Sequence, residues 1–215
     1  SDVCSSDLRL NILTSLLKLR QVCIHPKIIS EFQHMEIESP KFELAKTKIN
    51  ELIEEGHKIV IFTQFTSMIK LFMAWGKSEN HYCEFIDGSV TGKKRMEAID
   101  RFQNSDKSGF FVISLKAGGV GINLTAADYV IHLDPWWNPA VEAQATDRVH
   151  RIGQSRGVQV FKLVSKATIE ERIHELIKRK KGLLDEVVGF DDQDVIKSLT
   201  QEEIFELFSS LEEDL

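Results

Sequence analysis

Gln144, Arg148 and Arg151 stand at i, i+4 and i+7 of one segment, so a helix there projects all three from one face. Two guanidiniums and an amide converging in this way suit a polyphosphate whose charge grows as a bond to phosphorus breaks. The rival reading is a solvated basic helix face. His150, one step off that face, reads as a packing or hydrogen-bonding residue rather than a base. Upstream, the run from Ser114 to Leu124 (SLKAGGVGINL) follows an apolar stretch and holds three glycines and Lys116. Glycines after a strand let backbone amides approach a phosphate, and Lys116 adds charge. A dinucleotide fingerprint fails there, because Gly119-Val120-Gly121 is followed by Leu124 where a third glycine or alanine belongs.

Between these two stretches lies Asp134-Pro135-Trp136-Trp137-Asn138-Pro139. Asn138 is a good N-cap, and Pro139 suits the first helical position. Trp136 reads as a core residue. Trp137 fits two roles equally, a core anchor or an indole that meets a nucleic acid beside a basic surface.

The elements that must position these residues alternate. Apolar runs at Ile59 to Phe62, Tyr82 to Ile86, Phe110 to Ser114, Tyr129 to Leu133 and Val158 to Val164 read as strands. Helical patterns precede or separate them: Leu10 to Cys23 stopped by Pro26, a helix opened by Ser39-Pro40 and closed by Gly56, Ser67 to Trp75, Lys93 to Phe102, and Pro139 to about His150. Such alternation predicts a parallel sheet covered on both faces. Thr168 and Glu171 form a capping box for a last long helix with an apolar stripe at Ile169, Ile173, Leu176 and Ile177. Leu199 to Leu211 reads as a short acidic amphipathic helix. Ser1 to Leu8, without periodicity, is left out of the fold.

Composition narrows the function classes. The 215 residues are 42% hydrophobic and 28% charged with 12 Gly and 4 Pro, which excludes collagenous, disordered and mucin-like chains. No apolar run approaches the roughly 18 residues of a membrane span. Three cysteines without C-x-x-C spacing point to a reducing compartment and to neither a disulfide framework nor a zinc module. The net charge of −6 conceals an asymmetry: −3 over residues 1–147, +7 over 148–181 and −10 over 182–215. A basic block beside an acidic tail suggests an anion-binding surface and a solvated or partner-facing segment.

Five stretches in this order, Lys58 to Phe65 (KIVIFTQF), Phe85 to Arg95 (FIDGSVTGKKR), Ser114 to Leu124, Asp134 to Pro139 and Gln144 to Gln154 (QATDRVHRIGQ), resemble the C-terminal RecA-like lobe of Swi/Snf-type ATPases of helicase superfamily 2. The helix through Leu13 to Pro26 and the helix after the sheet resemble family features too. The similarity spans roughly residues 10–210, and HRIGQ within a Q-x-x-x-R-x-x-R frame is its most specific element.

The resemblance implies a RecA-like doubly wound α/β sheet with flanking helices and a C-terminal brace helix. It implies an N-terminal helical segment over 1–39, the lobe over 40–165, and brace helix plus acidic tail over 166–215. Arg148 and Arg151 match the motif VI arginines that reach the ATP γ-phosphate, and Gln144, Gly121 and Asn123 fall on the nucleotide side. Ser114, Lys116, Gly118 and Trp137 fall on the DNA side, as do Thr63, Gln64 and Arg95, which with Gly88 fit a phosphate-contacting or a structural role equally. ATP and Mg²⁺ are expected to be held mainly by an N-terminal lobe of the same polypeptide, and no metal site is expected here. Double-stranded DNA is the expected partner, with a further protein partner for the acidic tail. The expected location is the cytoplasm in a bacterium or archaeon and the nucleus in a eukaryote.

The sequence lacks G-x-x-x-x-G-K-[ST]; Gly92-Lys93-Lys94 has neither the upstream glycine nor the following Ser or Thr. Nor is there an Asp-Glu-x-His element. The expectation is half of a translocating DNA-dependent ATPase, inactive alone. An unwinding helicase lobe, or a non-catalytic binding or interaction domain, is the alternative.

Overall fold

The computed structural model describes residues 2–115, 117, 122–149, 157–184 and 199–209. Helix α1 (Asp2–Ile24) begins well before Leu10, and this corrects the reading of Ser1 to Leu8. Periodicity reports what a helix packs against, not whether the backbone is helical, and nothing between Asp2 and Arg9 is a Gly or Pro that would break it. After α1, the His25 side chain accepts from the Lys27 amide at 3.1 Å and caps a short turn at Pro26–Ile28. Helix α2 (Pro40–Glu54) closes through the His57 amide, which donates to the Leu52 carbonyl at 2.9 Å. That closure needs Gly56 at φ +87, where a side chain would be strained.

The sheet elements follow as β1 (Lys58–Thr63), α3 (Thr66–Ser78), β2 (Tyr82–Ile86), α4 (Gly92–Asn104), β3 (Gly109–Ser114), β4 (Tyr129–His132), α5 (Pro139–Asp147) and β5 (Gln159–Lys162). Then come α6 (Ile169–Leu184) and α7 (Gln201–Ser209). Five parallel strands lie in the order β2-β3-β1-β4-β5. Register runs from Lys58↔Gly109 to Thr63↔Ser114 on one side of β1, and from Ile59↔Tyr129 to Phe62↔His132 on the other. The chain leaves β1 toward β2 but leaves β4 toward β5, so the connections beyond the carboxyl ends of these neighbours diverge, the position where ligands enter such sheets.

Both faces of the sheet are covered, as its apolar strands require. Phe110 stacks on Trp75 with ring centroids 5.5 Å apart, whereas the next residue, Phe111, meets Phe102 edge-on at 5.1 Å. Adjacent strand residues point to opposite faces, so α3 and α4 cover opposite sides. Each buried aromatic contributes about 1.5–3 kcal/mol of transfer free energy. Gly109 is obligatory, since a Cβ there would meet the Tyr82 carbonyl oxygen at 2.1 Å. Strand β5 is shorter than the Val158 to Val164 run, and among the described residues it lies at the edge of the sheet beside β4.

Two compact units emerge, a sheet unit (42–134 and 142–163) and a helical unit (1–41, 135–141 and 164–215). The helical unit has its own apolar cluster: Leu16, Trp137, Ile169, Ile173, Leu176, Ile177, Leu199 and Leu207. It also buries charge. Lys41 pairs with Glu170, whose carboxylate also accepts from the Ser165 amide at 2.9 Å. The Arg20 guanidinium donates to the Pro135 carbonyl at 2.9 Å and lies 5.6 Å over the Trp137 ring. No described helix is long and apolar enough to cross a membrane.

Candidate functional site

The carboxyl ends of β1 and β4 are joined by one carboxylate. Asp134, 2% exposed, accepts from the Thr63 hydroxyl at 2.8 Å and from the Gln64 amide at 3.2 Å. Thr63 Oγ1 in turn accepts from the Phe65 amide at 3.2 Å. Thr63 is fully buried, so its hydroxyl shapes the turn that presents Gln64, which keeps some exposed surface. Asp134 was visible in the sequence only as a loop residue. An acid immediately after a strand, beside the strand-end Thr of a neighbour, is the signal that identifies it.

At the end of β3, Ser114 is also buried, and its hydroxyl accepts from the Ala117 amide at 3.3 Å. This bond holds the first turn of the glycine-rich loop. Lys116, Gly118 and Gly121 lie outside the described residues. The loop returns at Ile122, and the Asn123 Oδ1 is buried with no hydrogen-bond partner among the described residues. A buried amide oxygen without a donor costs on the order of 1–3 kcal/mol. Such an acceptor fits a ligand hydroxyl or amine better than a phosphate.

Immediately after Asn123, the Leu124 amide donates to the Arg148 carbonyl at 3.2 Å. Helix α5 ends at Asp147, three residues short of the expected His150, and the Val149 amide closes the turn onto the Thr146 carbonyl at 2.9 Å. Its start is as expected, with Asn138 Oδ1 accepting from the Ala140 amide at 2.9 Å. Gln144 is exposed and Arg148 half-buried, so Arg148 stands in the turn following the helix rather than within it. Arg151 and His150 lie outside the described residues.

The first turn of α4 gathers cations. Lys93 and Lys94 are exposed, no acid occupies that turn, and Arg95 Nε is buried without a partner among the described residues. Positive side chains at the positive end of a helix dipole disfavour one another. An anion placed there would relieve both.

In the helical unit, Trp137 is 1% exposed and packs among Leu16, Ile173 and Leu176, so here its ring is a core side chain. Trp136 is buried as well. The capping box at Thr168 is shifted: Thr168 Oγ1 accepts from the Glu170 amide at 3.2 Å, but Glu171 reaches the Ala167 amide, at 2.8 Å. Part of the charge asymmetry is neutralised internally. Arg179 pairs with Glu206 at 2.9 Å and Lys180 with Glu203 at 2.6 Å, so described acids of the tail lie on the basic helix. Sequence reasoning missed Arg20 and Glu170. Each interrupts an apolar stripe, Arg20 at four residues from both Leu16 and Ile24, and Glu170 beside Ile169, which is the signal of a buried, partnered charge.

The family profile described as "Helicase conserved C-terminal domain" matches residues 41–153. An uncharacterized ATP-dependent helicase of Mycoplasma pneumoniae is 45% identical over 198 residues, covering 92% of this chain and 19% of that protein. The Sulfolobus solfataricus SWI2/SNF2 ATPase C-terminal domain superposes with a TM-score of 0.72 at 37% identity, covering 93% of this chain and 81% of that one. The SWI2/SNF2 ATPase core from the same organism, in complex with dsDNA, gives 0.75 at 39% identity, covering 93% of this chain and 42% of that one. The chain spans about a fifth of the length of the curated relatives it matches.

Proposed function

Because the chain belongs to the helicase conserved C-terminal domain family and is the C-terminal lobe of a SWI2/SNF2-type ATP-dependent helicase, we propose that it supplies the arginine side of an ATP site and part of a track along double-stranded DNA. The observation that carries this reading is the Leu124 to Arg148 hydrogen bond, which ties the arginine to the end of the glycine-rich loop. Through this bond a shift of the Leu124 main chain is felt at Arg148.

On the nucleotide side, Arg148 and Arg151 meet the transferring phosphoryl group, Gln144 orients beside them, and the Asn123 amide and the Gly121 backbone approach the nucleotide. ATP and its Mg²⁺ are held mainly by an N-terminal lobe of the same polypeptide. This lobe contributes cations and hydrogen bonds to the phosphates. When bound, the ion would neutralise charge developing on those phosphates. On the DNA side, Gln64, Arg95, Lys116 and the Gly118 amide touch phosphates, while Thr63 and Ser114 hold the loops that present them. Trp137 reaches DNA only if its loop rearranges. Residues 1–39, 40–165 and 166–215 act as an entry helix, the lobe, and a brace helix with an acidic tail that would meet a protein partner. The lobe works where the DNA is, in the cytoplasm of a bacterium or archaeon or the nucleus of a eukaryote.

The test is Arg148→Ala in the full-length protein. Turnover should fall by about 10³–10⁵, as for other arginine fingers, with ATP affinity retained. A parallel loss of affinity would remove the finger role. Lys116→Ala should flatten the log–log salt dependence of duplex binding by about one unit, equally on unrelated sequences. An unchanged slope would take Lys116 off the DNA path.

A further inference from the structure

Helix α5 is gripped by the sheet along a single stripe. His132 and Lys162 are register partners on β4 and β5, so their side chains leave the same face of the sheet. Both meet α5. His132 Nε2 lies 3.0 Å from Thr146 Oγ1, and Lys162 Nζ pairs with the Glu142 carboxylate. Glu142 and Thr146 are one turn apart, and the Thr146 hydroxyl donates to the Glu142 carbonyl at 3.1 Å. With that single proton committed, His132 must donate from Nε2. Its Nδ1 is buried with no partner among the described residues. Burial drives the His132 pKa down to about 4, so the ring is neutral.

The gripped stripe fixes what the other face presents. At about 100° per residue, Gln144 lies roughly 200° round from Glu142, and Arg148 stands in the turn that α5 leads into, one residue past its end. An apolar contact would hold a helix against a sheet yet tolerate rolling, because the hydrophobic effect has no direction. Hydrogen bonds and an ion pair do not tolerate it. A roll of about 20° would move a group on the order of 6 Å from the axis by about 2 Å, and misplacement by about 1 Å can cost a hundredfold in rate.

We infer that His132, Thr146, Glu142 and Lys162 form a positioning clamp that sets the rotation of α5 about its axis, and with it the direction in which Gln144 and Arg148 meet the nucleotide phosphates. The clamp rests on the reading of Arg148 given above. Its four members are positioning residues and touch no substrate. The main chain of Arg148 is fixed separately, through Leu124, so the two devices control different freedoms of the same residue.

The experiment compares Glu142→Gln, Lys162→Gln, their double variant, Thr146→Val and Arg148→Ala in the full-length protein. For each, kcat, KM for ATP, affinity for a non-hydrolysable ATP analogue and the melting temperature are measured. Lys162 is half-exposed, so Lys162→Gln folds even if the buried variants do not. The clamp variants should lose roughly ten- to a hundredfold in kcat, with KM and analogue affinity within twofold. The double variant should be no worse than the worse single, because either change opens the same clamp. A folded Lys162→Gln protein with unchanged kcat overturns the clamp. So do losses that track melting temperature alone or that add in the double variant. If Arg148→Ala turns over like the parent, the finger reading falls; if it is inactive while the clamp variants are active, the clamp alone falls.

Discussion

Strands β1 and β3 bury every residue but Lys58, and their order follows from continuous apolar runs that bring α3 and α4 onto the two faces. The helical unit is assembled differently. It collects three stretches distant in the chain and fixes them with directional contacts: Lys41 to Glu170, Arg20 to Pro135, and Trp137 beneath both α1 and α6. An apolar strand carries its own instruction to be buried. A helix recruited from far along the chain needs a contact with direction to say where it goes, and buried charge supplies one at a cost in desolvation.

Breaking the buried pair gives the largest expected effect. Glu170→Ala takes from the buried Lys41 its carboxylate partner and should cost about 3–5 kcal/mol in urea unfolding, whereas Lys41→Met with Glu170→Leu should cost far less. In the sheet unit Phe111→Ala should lose a similar 3–5 kcal/mol, with Phe111→Leu keeping most of it. A loss under about 1 kcal/mol for Glu170→Ala would erase the contrast.

Acid titration sharpens the comparison from the other side. His132 titrates near 4 when folded and near 6.5 when unfolded. Between these values the unfolded chain binds the extra proton, so stability is complete above pH 6.5 and declines as pH falls toward 4. The decline should reach about 3 kcal/mol at 1.36 kcal/mol per pKa unit, and His132→Gln should flatten it. An unaltered acid limb in that variant would mean that other groups set it.

The smallest effect concerns α7. The Thr200 amide donates to Glu203 at 2.8 Å and the Glu203 amide to Thr200 Oγ1 at 3.2 Å, a reciprocal capping box. Thr200→Ala should cost about 1 kcal/mol by chemical denaturation. Arg179→Ala, which removes an exposed pair with Glu206, should cost under about 1 kcal/mol. If Arg179→Ala proved the costlier, the α6–α7 contact would be electrostatic rather than capped and apolar.

Strands β1, β3 and β4 were legible because a doubly buried strand is an uninterrupted apolar run, the edge strands β2 and β5 by their shorter apolar runs, and the intervening helices by stop signals such as Gly56. The turn holding Arg148 was not. A helical pattern reads through Asp147, and the end is set by the Leu124 amide, a partner 24 residues upstream that no local signal announces. Trp137 shows the same limit. Its burial depends on α1 and α6, so sequence alone left both of its roles open. The extra turns of α1 were missed for the opposite reason, since that stretch is helical without an apolar face.

Helix α1 meets α6 across about 150 residues of intervening chain. A ribosome adding roughly 5–20 residues per second would need on the order of 8–30 s to deliver α6 after α1. All five strands are synthesised in that interval, while Leu16 still lacks Ile173 and Leu176 from its cluster. Newborn chains therefore pass through a stage in which α1 still shows apolar surface that α6 will later cover, the stage at which a holding chaperone would bind.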